Sequence, residues 1–248
     1  MRVQRGFAAC FPLIGVALVT WRVGSAQAER FDVAVVHRSA ITVGTSVQFF
    51  DGGRVVIKNE PVKLLIRMAF DVQDSQVANA PRWVDTDRYD IEAKTDRAGR
   101  ITPTELRPLM EALLADRFRL RSHVEMRSMT VQALIPASDG VRLKTSSGDI
   151  NGMDTSGGDD GLHLQARATS MSLLAGYIGN RLNRVVVDKT GLTGSYDFAL
   201  DWAPDERPDS RWPALVTVLR EQLGLRLVNA RALIGVRVID HIDRPSDN

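Results

Sequence analysis

A repeated order of predicted elements sets the strongest limit on the fold of this chain. After residue 28, each half of the sequence reads strand, helix, two strands, helix, two strands. Tyr89-Asp90-Ile91 in the first half falls where Tyr196-Asp197-Phe198 falls in the second. LLADRFRLR (residues 113–121) likewise matches LREQLGLRL (residues 219–227). The pattern predicts an internal duplication, and a chance repetition of a common pattern is the alternative.

The strands are predicted from alternating apolar and polar residues and from short apolar runs. In the first half these segments are residues 31–36, 43–50, 54–58, 89–94, 118–125 and 129–135. In the second half they are residues 162–166, 185–188, 196–202, 225–229 and 234–242. We expect the last two strands of the first half to meet around a short turn, and two further strands to close the second half.

Four helices are predicted from apolar residues at helical spacing. Their expected N-caps are, in order, Asn59, Thr102 (a capping box with Glu105), Thr169 or Ser170, and Asp209 or Ser210. Their apolar faces are Val62, Leu65, Ile66 and Ala69; Leu106, Leu109, Met110, Leu113 and Leu114; Met171, Leu174, Ala175, Ile178 and Leu182; and Leu215, Val218, Leu219 and Leu223. Amphipathic helices and alternating strands together predict an α+β fold, with helices packed on antiparallel or mixed sheets.

The domain organisation follows from a change in composition. Residues 137–160 are rich in Ser, Gly and Asp, with little to bury, so they are expected to form a linker or loop. We therefore expect a signal peptide at 1–28, a first α+β half at 29–136, this linker or loop, and a second α+β half at 161–248.

The first 28 residues have the three parts of a secretory signal. Arg2 and Arg5 precede an apolar run at residues 6–21, and Ala26-Gln27-Ala28 supplies a cleavage site. We expect cleavage after Ala28 and export to the periplasm or out of the cell. The apolar run is shorter than the roughly 20 residues that span a bilayer, so no stable membrane span is expected after cleavage.

Removal of this segment changes what chemistry the chain can carry. Cys10 is the only cysteine, so no disulfide or thiolate site remains after cleavage. The full chain has 32 Lys+Arg against 30 Asp+Glu, and loss of Arg2, Arg5 and Arg22 leaves 29 against 30. A near-neutral, mixed charge argues against a nucleic-acid partner.

The segment VVVDKTGLTGSYDFALDW (residues 185–202) contains two spellings known from enzymes. Asp-Lys-Thr-Gly occurs in P-type ATPases, and Lys-Thr-Gly in penicillin-recognising enzymes. The chain lacks the partners of both, because it has no nucleotide-binding domain pattern and no lysine with Ser three residues before it. We therefore interpret DKTGLTG as a loop between two strands, with Gly191 and Gly194 at positive φ.

The function expected from these residues is that of a non-catalytic binding module, without cofactor or metal. Its candidate binding residues are Trp83, Asp188, Lys189, Thr190 and Tyr196. The expected partner is an envelope or extracellular protein, a peptide or a glycan. Exposed edge strands of such a module can accept a partner's strand.

An exported hydrolase is the alternative function. It would use carboxylates or histidines that the fold brings together, with Asp188, His123 and His241 as the candidates. His123 and Glu125 share one face of a strand, where polar surface residues are the simpler interpretation than metal ligands. Clustered acid and base residues in a deep cleft would favour the enzyme, whereas a sheet edge or shallow groove would favour the binding module.

Six pieces of the sequence together resemble a family of exported soil-bacterial proteins of unknown function, found as many paralogues in soil acidobacteria. The pieces are FDVA (31–34), WVDTDRYDI (83–91), LLADRFRLRSHVE (113–125), RVVVDKTGLTGSYDF (184–198), EQLGLRL (221–227) and VIDHIDRPSDN (238–248). The chain departs from the family at His37-Arg38 and Asn79-Ala80, where Lys-Pro and Gly-Gly are usual. The resemblance implies no catalytic residue. Related domains attached to membrane peptidases similar to the antibiotic-sensing kind imply a sensing or interaction role outside the cytoplasm.

Overall fold

The computed structural model of the chain describes residues 29–40, 43–148, 151–158, 161–203 and 211–246. The expected signal peptide and the expected N-cap Asp209 or Ser210 lie outside these residues. The strands are β1 (Val33–Arg38), β2 (Ser46–Phe50), β3 (Arg54–Pro61), β4 (Val77–Ala78), β5 (Arg88–Lys94), β6 (Arg121–Pro136), β7 (Lys144–Thr145), β8 (Gly152–Gly158), β9 (Gly161–Thr169), β10 (Val186–Asp188), β11 (Tyr196–Trp202) and β12 (Leu225–His241). The helices are α1 (Val62–Phe70), α2 (Trp83–Thr86), α3 (Pro103–Arg117), α4 (Met171–Leu182) and α5 (Leu215–Leu223).

Within the described residues, five α-helices and twelve strands form three mostly antiparallel sheets, which confirms the α+β class. The first sheet has the strand order β1-β5-β3-β2, and the second sheet has the order β7-β11-β9-β8. The shared sheet has the order β10-β6-β12-β4 and takes two strands from each half. No helix in the described ranges is long and apolar enough to cross a membrane.

The first sheet packs with α1 and α3 around one hydrophobic core. All nine predicted core positions of these two helices are buried, because each helix places its apolar stripe against the sheet. The capping box of α3 is confirmed: Glu105 N donates to Thr102 Oγ1 at 3.4 Å, and Thr102 N donates to Glu105 Oε2 at 2.9 Å.

The predicted N-cap of α1 is wrong. Asn59 lies inside β3 with φ 55°, and Pro61 is the residue that precedes the helix. The register between β3 and β5 shifts between Ile57 and Glu60, so Asn59 belongs to a β-bulge. Asparagine tolerates the left-handed conformation better than most residues, which explains its presence at this position.

The second sheet packs with α4 and α5 around a second core. Ser170 is confirmed as the N-cap of α4, because its Oγ accepts a hydrogen bond from Leu173 N at 3.3 Å. Of the predicted apolar positions, Leu182 is half-buried and the other eight are buried.

The range 137–160 was expected to be a linker or loop, but its described residues contain two strands, β7 and β8. β8 pairs with β9 over seven residues. Composition misled the prediction here, because a polar edge strand needs little apolar surface when its neighbour supplies the backbone hydrogen bonds. The division of the chain into domains stays a prediction.

The shared sheet corrects the predicted end of each half. Residues 118–125 and 129–135 do not form two strands around a turn, because β6 runs unbroken from Arg121 to Pro136. Residues 225–242 likewise contain one strand, β12. β6 and β12 pair antiparallel along nearly their whole length. Met126, Arg127 and Ser128 include no glycine, proline or asparagine to favour a turn, so the alternation continues through them.

The two Tyr-Asp pairs occupy matching places in the first and second sheets. Asp90 Oδ1 accepts a hydrogen bond from Asn59 N at 2.8 Å, and Asp197 Oδ1 accepts one from Ala168 N at 2.8 Å. Both donors have positive φ, 55° and 42°, and both lie at a bulge three residues before a helix. The two halves therefore share one strand order and one bulge. Three strands precede the first helix of each half and one strand follows its last helix, where the repeated order predicted from the sequence had one and two. Their origin by duplication stays a prediction.

Candidate functional site

The DKTGLTG segment is a closed loop between β10 and β11, as predicted. Asp188 Oδ1 accepts hydrogen bonds from Thr190 N at 2.9 Å and from Thr190 Oγ1 at 2.8 Å. Thr190 Oγ1 in turn accepts one from Leu192 N at 3.2 Å. Gly191 and Gly194 have φ of 69° and 101°, which confirms their predicted backbone conformation. The carboxylate and the hydroxyl therefore hold the turn in shape.

The other candidate binding residues also have contacts within the fold. Tyr196 is buried, and its hydroxyl donates to Thr193 O at 3.0 Å. Lys189 is exposed, and its backbone N–H donates to Leu134 O at 2.9 Å. Trp83 is partly buried and packs against the first core, whereas the other four candidates lie in the second half. The five candidates therefore do not form one site, and a binding role for any of them stays a prediction.

Several side chains form a cluster around Asp87 that the sequence did not indicate. Asp87 is buried, and its carboxylate accepts hydrogen bonds from Arg38 Nη2 at 3.3 Å and from Arg244 Nε at 2.8 Å. The guanidinium carbon of Arg244 also lies 5.0 Å from the centroid of the Trp83 ring. Two of the quoted pieces, WVDTDRYDI and VIDHIDRPSDN, thus meet here. The cluster fastens the segment after β12 to the first half.

Of the three residues of the hydrolase alternative, Asp188 lies far from the two histidines, which are near each other at the paired ends of β6 and β12. His123 Nδ1 is 2.8 Å from Asp240 Oδ1, and His241 Nε2 is 3.0 Å from Asp243 Oδ2. Asp188 lies opposite Leu134, eleven residues further along β6 than His123. At about 3.3 Å per residue this is roughly 36 Å. In the described part of the chain, no group of three or more His, Cys, Asp or Glu is placed to hold a metal ion.

Electrostatics support a structural role for the Asp of each Tyr-Asp pair. Burial raises the pKa of Asp90, but the N–H of Asn59, the hydroxyl of Ser39 and nearby positive charge outweigh it and hold the pKa below its ordinary value. The backbone N–H of Ala168 lowers the pKa of Asp197 in the same way. Both carboxylates are therefore ionised acceptors at neutral pH, which suits bulge anchors and does not suit proton donors.

The two halves differ at the outer side of β11. β5 pairs with β1 over six residues, from Tyr89 to Lys94. β11 pairs with β7 over two residues, Tyr196 and Asp197. The chain before β7 turns away, because Arg142 N donates to Leu223 O at the end of α5. Among the described residues, no strand pairs with residues 198–202 of β11 on this side.

The backbone groups that face this open side can be assigned from the strand pattern. Ser146 N donates to Ser195 O, so Ser195 points its carbonyl toward β7. Alternate residues of a strand point their N–H and C=O groups to the same side. Asp197, Ala199 and Asp201 therefore face the same way as Ser195, and the last two lie beyond the end of β7. We call the outer side of residues 198–202 the open strand position.

Residues 63–242 match a protein family described as a protein of unknown function (DUF3738). The match covers more than half of the chain. The chain belongs to this family. The DUF3738 region begins inside α1 and ends after β12, so it includes the whole second sheet and the open strand position. No curated protein and no solved structure matches the chain. The soil setting and the attachment to membrane peptidases stay expectations.

Proposed function

We propose that this chain is an exported, non-catalytic binding module that takes an extended segment of another polypeptide beside β11. The observation that carries the proposal is the open strand position: β5 has a six-residue neighbour, and β11 has a two-residue neighbour. An extended segment can pair with such a strand through backbone hydrogen bonds. A glycan has no ladder of N–H and C=O groups, so this site favours a polypeptide of the envelope or the extracellular space.

The backbone groups of Ala199 and Asp201 limit the strength of this binding. Each residue presents one N–H and one C=O, and each hydrogen bond contributes about 0.5–1.5 kcal/mol net. Four such bonds give about 2–6 kcal/mol before the cost of ordering the partner. The ladder alone therefore corresponds to a dissociation constant of about 40 µM or weaker. Side-chain contacts must supply the rest of the affinity and the specificity.

The alternative of an exported hydrolase has less support. Asp188 is held in a turn, and roughly 36 Å of strand separates it from His123 at about 3.3 Å per residue. General acid–base catalysis needs its groups within hydrogen-bonding reach of one substrate. A near-neutral charge after removal of residues 1–28 does not favour a nucleic-acid ligand either.

The open strand position can be tested first in the protein without any added peptide. Amide hydrogen exchange, read by NMR, should be fast at Ala199 and slow at Glu92, which occupies the matching place in β5 opposite Val35 of β1. Leu200 should also be protected, because its N–H faces β9. Slow exchange at Ala199 in the free protein would mean that another segment of the chain already fills the position.

A selection experiment then tests binding. Random decapeptides displayed on phage are selected on the full chain and re-measured on Ala199→Pro and Ala199→Ser. Proline removes an N–H from the open side and none from the ladder with β9, whereas serine keeps the N–H. We expect a loss of at least tenfold in affinity with proline and less than twofold with serine. Equal binding to both variants, or an exchange rate at Ala199 that peptide does not slow, would refute the proposal.

A further inference from the structure

β1 lies beside β5 in the place that corresponds to the open strand position beside β11. The residues of β1 therefore indicate what kind of segment that position can bind. β1 runs antiparallel to β5, and β7 runs antiparallel to β11, so a segment that continues β7 has the same direction. Ala34 and Val36 face the helices and are half-buried and buried, while Val33 and Val35 face outward with 61% and 42% exposure. The side chains directed toward the helix are thus small and apolar.

α3 forms one wall of the place that β1 occupies. A groove of about 230 Å³ lies between them and is lined by Arg30, Ala34, Leu113, Asp116 and Arg117, among others. Arg117 Nη2 donates to Ala34 O at 3.0 Å, so the helix satisfies one outward-facing carbonyl of β1. Arg117 Nε also lies 3.3 Å from Asp116 Oδ2, which neutralises that carboxylate.

The sequences of α5 and α3 can be aligned by matching the residue with a left-handed backbone conformation that follows each helix. These residues are Arg119 with φ 52° and Gly224 with φ 64°. This alignment places Val218 at Leu113, and both are buried. It differs by one residue from the match of residues 113–121 with residues 219–227 that the sequence suggested. It places Glu221 at Asp116 and Gln222 at Arg117, and both α5 residues are exposed.

The helix beside the open strand position, α5, therefore differs in charge from the helix beside β1, α3. Gln222 keeps a side-chain donor for a carbonyl of an added strand but brings no positive charge. Within the described residues, the Glu221 carboxylate makes no ion pair, whereas Asp116 pairs with Arg117. Arg142 Nη1 donates to the backbone carbonyl of Glu221 at 3.2 Å, but the ion pair of Arg142 is with Asp139. An unneutralised carboxylate beside a strand position favours a basic residue on the incoming segment.

From this comparison we infer that the segment added to β11 runs antiparallel to it, turns small apolar side chains toward α5 and carries a basic residue against Glu221. This inference rests on the proposed function, because it names the partner of the same site. Arg30 lines the groove together with Asp116, so the basic residue belongs near the N-terminal end of the segment. The C-terminal end of the segment then lies next to Lys144, where β7 begins.

The probe for this inference is the hexapeptide RFDVAV, which has the sequence of residues 30–35. Disulfide trapping reports its direction when the peptide carries an added cysteine at either its C-terminal or its N-terminal end. The protein is the full chain with Cys10→Ser and a single new cysteine, Lys144→Cys. Ser156→Cys, on the opposite edge strand of the same sheet, is the matched control.

We expect the peptide with the C-terminal cysteine to react with Lys144→Cys at least tenfold faster than the peptide with the N-terminal cysteine. It should also react at least tenfold faster there than with Ser156→Cys. Glu221→Gln should slow the favoured reaction about threefold. The same change should have no effect when glutamine replaces the arginine of the peptide, since the pair is then already absent.

The outcomes separate this inference from the proposed function. Equal trapping of the two peptides, or no effect of Glu221→Gln, overturns the inference about direction or charge. If peptides selected from the library still lose affinity with Ala199→Pro, the proposed function stands even though the inference about direction or charge is overturned. If Ala199→Pro changes the binding of neither the selected peptides nor the hexapeptide, both are refuted.

Discussion

Gly224, at the end of α5, should tolerate no side chain. Its φ is 64°, and a Cβ built there would overlap the carbonyl oxygen of Gly140 and lie 2.8 Å from the Gly140 carbonyl carbon. The left-handed conformation costs a non-glycine residue about 1–2 kcal/mol. Displacing the packed backbone around Gly140 adds about 1–3 kcal/mol. We therefore expect Gly224→Ala to lower the free energy of unfolding by about 2–5 kcal/mol.

Gly191 supplies the matched control for this prediction. Its φ is 69°, but a Cβ there would meet no heavy atom within 4 Å. Gly191→Ala should therefore cost about 1–2 kcal/mol, from conformation alone. Arg119 has φ 52° at the matching end of α3, so Arg119→Gly should be neutral or stabilising by up to about 1 kcal/mol.

Urea unfolding of the three variants, followed by circular dichroism, measures these differences from the midpoints at constant m-value. The difference between Gly224→Ala and Gly191→Ala isolates the overlap with Gly140, because both share the conformational cost. Equal free energies of unfolding for these two variants would refute the reasoning. A lower stability of Arg119→Gly would contradict the assumed strain at that residue.

Three further measurements check the remaining roles assigned to side chains. Asp90→Asn should lower the free energy of unfolding by about 1–3 kcal/mol at pH 7, because the charged carboxylate accepts the N–H of Asn59. The pKa of Asp90 is lowered from 3.8, so this difference from wild type should shrink as the pH falls below that value. Lys189→Met should change the free energy of unfolding by less than about 0.5 kcal/mol, and a larger loss would contradict an exposed role. The hydrogen bond with Asp240 raises the pKa of His123 above 6.5, so its NMR titration midpoint should fall in Asp240→Asn. The stability that protonated His123 contributes is present below pH 6.5 and is lost as the pH rises through the raised pKa. A titration midpoint of His123 that does not change in Asp240→Asn would refute the pairing.

Four of the five α-helices in the described residues could be predicted, because their signals are local; the four-residue α2 was not predicted. The apolar stripe of α3 and its capping box at Thr102 lie within a few turns of one another, and both were identified correctly. The continuity of β6 could not be predicted in the same way. Its partner, β12, begins 89 residues after β6 ends, so no local pattern distinguished one long strand from two short ones. The absence of glycine, proline and asparagine from Met126, Arg127 and Ser128 was the available signal.

The candidate site was predictable only in part. DKTGLTG was identified as a loop because the partners of an enzyme motif are missing from the sequence and because its glycines act locally. The cluster of Asp87 with Arg38 and Arg244 joins residues far apart in sequence, so spacing could not indicate it. Nothing within YDFALDW shows that its neighbour, β7, begins only at Lys144. That property belongs to the path of the chain from residue 137 to Lys144 rather than to the strand.

The pairing of β6 with β12 bears on when the chain can fold. β6 has no antiparallel partner until residues 225–241 exist, and its short parallel neighbour β10 ends at Asp188. A nascent chain therefore carries a sixteen-residue strand with both edges unpaired while nearly half of the sequence is still to be made. Contacts between residues so distant in sequence also form slowly, because a long loop must close first. The fold is therefore completed late, and the pairing of β6 with β12 is missing until nearly the whole polypeptide has been made.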